Sequence, residues 1–368
     1  MLSDRTHRTT FALTTIHHHL RDFLTGTDLH RRSSLFSSVL AVPFKTSFEA
    51  LTLATTRILP FFGGVSFRHP APNSDLPIRL ARLLAPTLRL LRLNSGFELD
   101  LALVAASFSQ LECLDLAGSK VADISPLSML PNLNSLNLAH SKVADFAALS
   151  NLVNLKDLNV SYSSIASLAG ITDKLQSLNI ESTQITILPV YASVKSLNIN
   201  KTRVRSLATL SDCVSLHSLS FHNTFVSSIS VLGTCTSLTN LDMHTTLVFD
   251  ISILAHLKLL RILDVSHTNV SDVTPLRTLK KLTSLNVSHL VHLTSGMKSV
   301  ADLVNLKILK LDGTPDVSNL HFVKALRHLE EIAFDTSSVG TGVLALKGLK
   351  KLRKVNGREL IQSESCVE

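Results

Sequence analysis

Histidines are the side chains of this 368-residue chain that most strongly suggest chemistry. Sixteen occur, and four of them form two pairs whose members lie 22 residues apart: His222, His244, His267 and His289. Asp242 and Asp264 repeat at the same spacing. Imidazole nitrogens and carboxylate oxygens are zinc ligands, and a zinc site needs three or four of them together. The shared spacing indicates that a regular structure carries these side chains.

Recognisable catalytic sequences are absent. The chain contains no GxGxxG, GxSxG or HExxH sequence and no phosphate-binding loop. The triplet His17–His19 falls in a stretch with helical spacing, where consecutive side chains point in different directions. A metal at the paired histidines is conceivable, but solvent-exposed groups that hydrogen-bond a partner are the favoured interpretation. The sequence therefore predicts no catalytic residue, no metal and no cofactor.

A short repeat explains the 22-residue spacing. Each copy follows L-x-x-L-x-L-x-x-[ST]-x-V-x-x-I-x-x-L, and successive copies start 19 to 24 residues apart. The first residues of the copies are Leu111, Leu133, Leu155, Leu175, Val194, Leu216, Leu238, Leu260, Leu282, Leu306, Leu329 and Leu352.

Two periodicities occur within each copy. Stretches such as "LDV" and "LNI" alternate apolar and polar residues, which predicts a short strand with one buried face. Wider apolar spacing follows, as in "DVTPLRTLKKL", and Ser125-Pro126 and Thr274-Pro275 are typical of an N-cap before a short helical turn. One copy cannot enclose its own leucines, so copies must stack around a shared core.

These residues resemble the leucine-rich repeat family, in the 22-residue class of internalins and a phosphatase regulatory subunit. The resemblance covers about residues 88–355. It implies an α/β fold: a curved solenoid with a parallel sheet on its concave side and short helical or 3-10 segments on its convex side.

One position departs from the family pattern. The family usually has Asn at the ninth position, and this chain has hydroxyl residues there. A hydroxyl can still bond to backbone groups of consecutive turns, so we interpret the column as a structural ladder. Its members are Ser119, Ser141, Ser163, Thr183, Thr202, Thr224, Thr246, Thr268, Thr314 and Ser337, with a break at Leu290.

Outward positions of the predicted strands are mainly Asn, Asp and Ser. They form a floor of hydrogen-bonding groups, and only Tyr162, Phe225 and Arg203 belong to or approach the residue types that dominate binding energy. Side-chain ladders within the sheet are an equally open interpretation. The predicted partner-binding residues are Asn137, Asn159, Tyr162, Asn179, Asn198, Arg203, His222, Asp242, His244, Asp264, His267, Asn286 and His289.

Four segments are predicted along the chain. Residues 1–70 form a small helical region, 71–87 a Pro-rich linker, 88–358 the solenoid and 359–368 a tail. Three interpretations of the first segment are open: a cap, a transit peptide or an F-box. The F-box, a known docking motif, is included because the segment resembles it. The matching residues are Leu20, Leu24, Asp28, Leu29, Leu35 and Val39, although the opening Leu-Pro is missing and Val39 replaces a tryptophan.

Composition limits the function further. The net charge is +8, but no dense Lys/Arg run and few aromatic residues are present, which argues against nucleic acid. No stretch is typical of a membrane span. Four scattered cysteines fit a reduced, cytoplasmic or nuclear protein, and the arginines near the start leave mitochondrial targeting open.

The sequence predicts a non-catalytic scaffold that binds a protein on the concave face. The alternatives are the substrate-receptor subunit of a ubiquitin ligase, which follows from the F-box resemblance, and a regulatory subunit of a phosphatase. We expect Leu263→Asp to unfold several neighbouring repeats. Asn286→Ala is expected to leave folding nearly intact.

Overall fold

The computed structural model describes residues 39–42, 64–68, 88–94, 100–143, 145–169, 171, 173–314, 320–335 and 341–360. Two compact units make up the chain. The N-terminal unit comprises Met1–Ser163 with Gly170–Thr172, and the C-terminal unit comprises Ser164–Ala169 with Asp173–Glu368.

The N-terminal unit contains a parallel sheet in which each strand pairs with the next along the chain. Its register aligns equivalent leucines, so that Leu114 lies opposite Leu136. Its strands are β1 Val39–Val42, β2 Gly64–Arg68, β3 Leu90–Asn94, β4 Cys113–Asp115, β5 Ser135–Asn137 and β6 Asp157–Asn159.

The C-terminal unit repeats this arrangement, and its last pair is antiparallel. Its strands are β7 Ser177–Asn179, β8 Ser196–Asn198, β9 Ser218–Ser220, β10 Asn240–Asp242, β11 Ile262–Asp264, β12 Ser284–Asn286, β13 Ile308–Lys310, β14 Glu331–Ala333, β15 Lys354–Val355 and β16 Arg358–Glu359.

Short helical segments connect most of the strands. One α-helix, α1 (Leu101–Ser107), follows β3 and is capped by Asp100, whose Oδ1 accepts from the Leu103 N–H at 3.1 Å. The others are single 3-10 segments: Ser125–Met129, Ala147–Asn151, Ala208–Leu210, Ser230–Thr234, Ser252–His256, Thr274–Thr278, Met297–Asp302, His321–Ala325 and Thr341–Gly348.

The core lies between the strands and these segments. The central residue of each three-residue strand is buried, as Leu219 and Leu263 show, and so is an aliphatic residue of the neighbouring 3-10 segments, such as Leu232 and Leu276. Full burial of one such side chain stabilises the fold by about 1.5–3 kcal/mol. The predicted fold, leucine-rich repeats stacked around a shared core, is confirmed within each unit.

Capping of the 3-10 segments differs from the prediction. Ser125 and Thr274 begin their segments, and each donates its backbone N–H at 2.8 Å to an aspartate two residues earlier, Asp123 or Asp272. Bonds from Ser125 lower the pKa of the Asp123 carboxyl, because they stabilise its ionised form. The hydroxyl residue was therefore wrongly predicted as the cap, since its own backbone N–H is bonded by the aspartate that precedes the segment.

The ends of the chain also depart from expectation. Within residues 1–70 the structure describes β1 and β2, which are strands and not helices, and Val39 lies in β1. The other F-box-like residues and the proposed linker 71–87 lie outside the described residues.

At the other end, Glu359 was assigned to a tail but lies in β16. Asn356 and Gly357 both have positive φ, 50° and 75°, as a two-residue hairpin turn requires. Asn-Gly is a strong hairpin signal, so this element was recognisable from the sequence.

Among the described residues, no helix combines the length and apolar character needed to cross a membrane.

Candidate interaction surface

The outward Asn/Asp column caps the strands. Each side chain stands at the last position of its strand, is half-buried, and accepts through Oδ1 from the backbone N–H two residues later, at 2.9–3.2 Å. Such bonds satisfy N–H groups where the strand ladder stops. The residues are Asp115, Asn137, Asn159, Asn179, Asn198, Asp242, Asp264 and Asn286. Of the two interpretations left open by the sequence, the geometry favours the structural one.

Ser220 interrupts this column, and a neighbour supplies the missing group. Asn200, which is 5% exposed, accepts through Oδ1 from the His222 N–H at 2.9 Å. The same oxygen accepts from the Ser220 hydroxyl at 2.7 Å. One amide from the preceding repeat therefore caps the strand that lacks its own.

Three positions after each capping residue, the backbone adopts the left-handed conformation with positive φ. The first residue of this kind is Gly118. Its N–H donates to a carbonyl of the next repeat, as His267 does to Ser288 at 3.1 Å. Glycine adopts such φ without strain and asparagine with little, yet most members are other residues. They are His140, Tyr162, Ser182, Lys201, Asn223, Thr245, His267 and His289, with φ of 53–57°. We call the residues from the capping position to this one the strand-end turn.

Aromatic rings stack along the strand-end turns. His140 lies 4.4 Å from Tyr162, His222 lies 4.1 Å from His244, and His267 lies 4.3 Å from His289, all between ring centroids. The planes are within 18° of parallel. Gly313 is the left-handed residue of the repeat that follows the one containing His289, and a Cβ there would collide with the His289 ring. Of these six stacked residues, all except His140 were among the predicted partner-binding residues.

The pair His222–His244 lies beside two carboxylates. His244 Nδ1 is 2.7 Å from Asp242 Oδ1. Asp242, His244 and Asp264 each have one potential metal-ligand atom that lies within 4.8 Å of the corresponding atoms of the other two. The predicted proximity of the histidine pair and the aspartates is therefore observed.

Desolvation affects both histidine pairs. Burial, followed by the charge of His244, lowers the pKa of His222, while Asp242 acts in the opposite direction. Burial and then His289 lower the pKa of His267. Both effects favour neutral imidazoles, because a charged ring in a stack loses hydration and repels its neighbour.

The hydroxyl column is buried and bonds mostly within its own repeat. Ser163, Thr183, Thr202, Thr224, Thr246 and Thr268 each donate to the carbonyl three residues earlier, at 2.6–2.7 Å. Thr314 alone among the described members donates to another repeat, to the Val287 carbonyl at 2.8 Å. For the other bonded hydroxyls among the described residues, the carbonyl of their own repeat takes the place of the expected bond between consecutive turns. Ser119 and Ser141 are buried, and Ser337 lies outside the described residues.

An exposed group of apolar side chains adjoins the strand-end turns. Phe225 is 49%, Leu247 49% and Phe249 63% exposed. Backbone bonds from Phe225 N–H to Val204 and from Leu247 N–H to Val226 hold successive repeats side by side here. Val248 is buried between Leu247 and Phe249, so those two point outward together. We call Phe225, Leu247 and Phe249 the apolar cluster.

One arginine contacts the apolar cluster, and a second is exposed two residues before it in the chain. The Arg205 guanidinium carbon lies 5.0 Å from the centroid of the Phe225 ring, a cation–π distance. Arg203 is exposed, and Val204 between the two arginines is buried, so both point to the same side. Leu247, Phe249 and Arg205 were missed by the sequence reasoning. The available signal was apolar residues at the tenth and twelfth positions of repeats where other copies have small or polar residues.

Two of the described thiols do not resemble nucleophiles. Burial raises the pKa of Cys213 to about 11 and also raises that of Cys235. A nucleophilic cysteine needs a lowered pKa and access to solvent, and both side chains are fully buried. These two cysteines are part of the core.

Comparison with known proteins supports the repeat assignment. A sequence model of the family "Leucine Rich repeats (2 copies)" matches residues 109–151. No curated protein matches the chain.

Solved structures with the same fold include an internalin, InlF, from Listeria monocytogenes, with a TM-score of 0.64 and 21% identity over 76% of this chain and 83% of that one. An LRR protein of Leptospira interrogans has a TM-score of 0.66 and 18% identity over 86% of this chain and 88% of that one. The plant peptide hormone receptor RGFR1, solved in complex with RGF2, has a TM-score of 0.53 and 14% identity, covering 87% of this chain and 57% of that one. At these identities the likeness shows the fold alone.

Proposed function

We propose that this leucine-rich repeat solenoid is a non-catalytic scaffold that binds a protein partner, with the apolar cluster of the C-terminal unit as the centre of the contact. The observation that carries the proposal is the joint exposure of Phe225, Leu247 and Phe249 on neighbouring repeats. Clustered exposed aromatic and aliphatic side chains mark protein contact sites more often than isolated ones do.

The polar surroundings indicate the chemistry of the partner. Arg205 lies over the Phe225 ring and Arg203 is exposed on the same side, and arginine is enriched among the residues that dominate binding energy. An apolar segment of the partner with an acidic side chain next to it would complement both groups. The stacked rings of His222 and His244 and the exposed rings of His267 and His289 extend this surface along the strand-end turns.

The strand-capping residues have a smaller role than the sequence suggested. Asn179, Asn198 and Asn286 each use Oδ1 to cap a backbone N–H. What these side chains offer a partner is their remaining polar atoms, at the edge of the contact. The related solenoid RGFR1 was solved with a bound RGF2 ligand, which supports a binding role for the fold and does not identify the partner here.

Substitution in the full chain tests the proposal. Proximity labelling in the native cell identifies proteins near the wild-type chain, and the purified candidate is then titrated against Phe225→Ser/Phe249→Ser. Removing one dominant contact residue costs about 2 kcal/mol or more of binding free energy. The double variant is therefore expected to bind at least about 30-fold more weakly than wild type. Val214→Ser is the matched control, because Val214 is also exposed (57%) but lies in the turn before β9.

The outcome is decisive in either direction. A partner that binds wild type and the control but not the double variant supports the contact surface. Equal affinity for all three chains would refute it.

The ubiquitin-ligase alternative needs a separate test. Deleting residues 1–70 would remove β2, which pairs with β3, so truncation confounds docking with folding. Leu24→Asp/Leu29→Asp in the full chain is cleaner. Ligase subunits that associate with wild type and not with this variant would support the F-box interpretation. The phosphatase alternative has no observation among the described residues that favours it.

A further inference from the structure

We propose that Asp242, His244 and Asp264 form a binding site for a divalent transition-metal ion, with Zn²⁺ as the reference ion. From the sequence alone, exposed hydrogen-bonding groups were the favoured interpretation of these residues. Three features of the structure now favour the metal: convergence, fixed ligands and local charge. The proposal is independent of the protein-binding function proposed above.

The ligand atoms converge because of the repeat register. Asp242 ends β10 and lies opposite Asp264, which ends β11. His244 follows Asp242 by two residues and turns back toward it. One donor atom from each residue lies within 4.8 Å of the other two. A tetrahedral ion with bonds of about 2.0–2.2 Å holds its ligands about 3.4 Å apart, so shifts on the order of 1 Å close the site.

Both carboxylates are already held by neighbours. Asp264 accepts from the Ser266 hydroxyl at 2.6 Å and from Asn286 Nδ2 at 2.8 Å. Asp242 Oδ2 lies 3.1 Å from the Ser220 hydroxyl, which shares its one hydrogen with Asn200, and Asp242 Oδ1 accepts from the His244 N–H at 3.2 Å. Partners of this kind orient metal ligands and commonly raise affinity by about 10–100-fold.

The imidazole of His244 is fixed as well. Its ring stacks on His222 with 4.1 Å between centroids, and its Nδ1 contacts Asp242. The side chains of His244 and Asp242 are 29% and 35% exposed, so an ion can reach them from solvent.

Local charge favours a cation. Asp242 and Asp264 face each other on adjacent strands, and neither forms an ion pair with Lys or Arg within 4.0 Å among the described residues. A divalent ion would offset both negative charges. One nitrogen and two oxygen donors suit zinc and similar first-row ions, and solvent would complete the coordination.

The other stacked pair is an internal contrast. His267 and His289 show the same ring stacking, with 4.3 Å between centroids. Neither belongs to the three-ligand group found among the described residues. Ring stacking alone therefore does not define the site, and this pair supplies the control variant.

Zn²⁺ titration against a chromogenic chelator tests the proposal. All full-length chains carry His17→Ala/His18→Ala/His19→Ala, so that the histidine triplet contributes no zinc uptake. The reference chain should take up one equivalent of Zn²⁺. His244→Ala and Asp264→Asn should weaken binding at least about 10-fold each, and His289→Ala should bind as the reference does.

Thermal melts confirm that loss of binding is not loss of folding. Asn occupies the capping position in other repeats, so Asp264→Asn retains the strand cap and should fold. Saturating Zn²⁺ should raise the Tm of the reference chain and of His289→Ala, but not that of Asp264→Asn. No saturable uptake by the reference chain would overturn the site, as would equal losses in His289→Ala and Asp264→Asn.

Discussion

The core and the strand-end turns of the C-terminal unit are built on the same strands but are stabilised by different interactions. In β11, Leu263 points inward and is 1% exposed, while Ile262 beside it is 45% exposed. One residue later, Asp264 caps the strand. The core is held by apolar area that any leucine column provides. The turns are held by individual hydrogen bonds, each with a specific donor and acceptor.

This difference shows where the repeats tolerate change. A core leucine is replaceable by another apolar side chain of similar size, but not by a charge. A turn residue is replaceable only if the backbone N–H it caps finds another acceptor, as the pair Asn200 and Ser220 shows.

The most severe test of the contrast is Leu263→Asp against Ile262→Asp. The first places an unpaired carboxylate in the shared core and should destabilise by at least about 4 kcal/mol, enough to unfold neighbouring repeats. The second leaves its carboxylate at the surface and should cost about 1 kcal/mol or less. Chemical denaturation followed by circular dichroism measures both, and similar midpoints would contradict the assignment of inward and outward positions.

Asn286→Ala should have an intermediate effect. Its Oδ1 caps the Ser288 N–H at 3.1 Å and its Nδ2 donates to Asp264 at 2.8 Å. Losing both should destabilise by about 1–3 kcal/mol, which revises the sequence-based expectation of almost no effect. The exposed Asn269, for which the described contacts include no side-chain hydrogen bond, is the control. If Asn286→Ala and Asn269→Ala melt alike, the capping role is refuted.

Thr245→Asn should stabilise the protein. Thr245 is β-branched and has a φ of 54°, whereas Asn223 occupies the same position one repeat earlier with a φ of 53°. Asparagine tolerates this conformation, so relief of strain should add about 1 kcal/mol to the free energy of unfolding. Thr236→Asn, at an exposed turn without positive φ, should bring no gain. An unchanged or lower Tm for Thr245→Asn would show that the left-handed turn is not strained.

The smallest expected effect is a pH dependence at His267. Its pKa is lowered from 6.5 in the folded chain, so the unfolded state binds the proton more readily between the two pKa values. The stabilisation from the neutral ring is therefore present above about pH 6.5 and is lost as the pH falls through the folded pKa.

Thermal melts at pH 7.5 and 5.5 compare wild type with His267→Gln. The variant should lose less Tm on acidification, because glutamine cannot protonate in the stack. An identical loss would show that His267 does not contribute.

Leucine spacing allowed the core to be predicted from the sequence. Leu219, Leu241 and Leu263 recur every 22 residues and pair in register. This works because burial depends on apolar character and periodicity, both of which are visible in a sequence.

Hydrogen-bond partners in the strand-end turns could not be predicted in the same way. The sequence showed that Thr246 sits in a hydroxyl column but not that its hydroxyl turns back to Met243. It showed Asn286 at an outward position, but not that Oδ1 folds onto the backbone. Both outcomes depend on the left-handed residue nearby, and a Thr or His there gives no signal of positive φ.

The apolar cluster and the N-terminal strands were missed for different reasons. Leu247 and Phe249 fit the general hydrophobic pattern, and only comparison with other copies at the same positions distinguishes them. Val39 lies in a strand because β1 pairs with β2, a contact between residues about 25 positions apart that helical spacing cannot reveal.

The shared cap at Asn200 has a consequence for how a tandem array diverges. Because one copy supplies the amide oxygen and the next copy supplies the N–H, Asn200 cannot be lost alone without leaving the His222 N–H short of its acceptor. A duplication or deletion with its end point between the two copies would separate the capping amide from the N–H that it caps. At this point of the array the unit that must stay together is the junction between two copies, and it does not coincide with the boundaries of either copy.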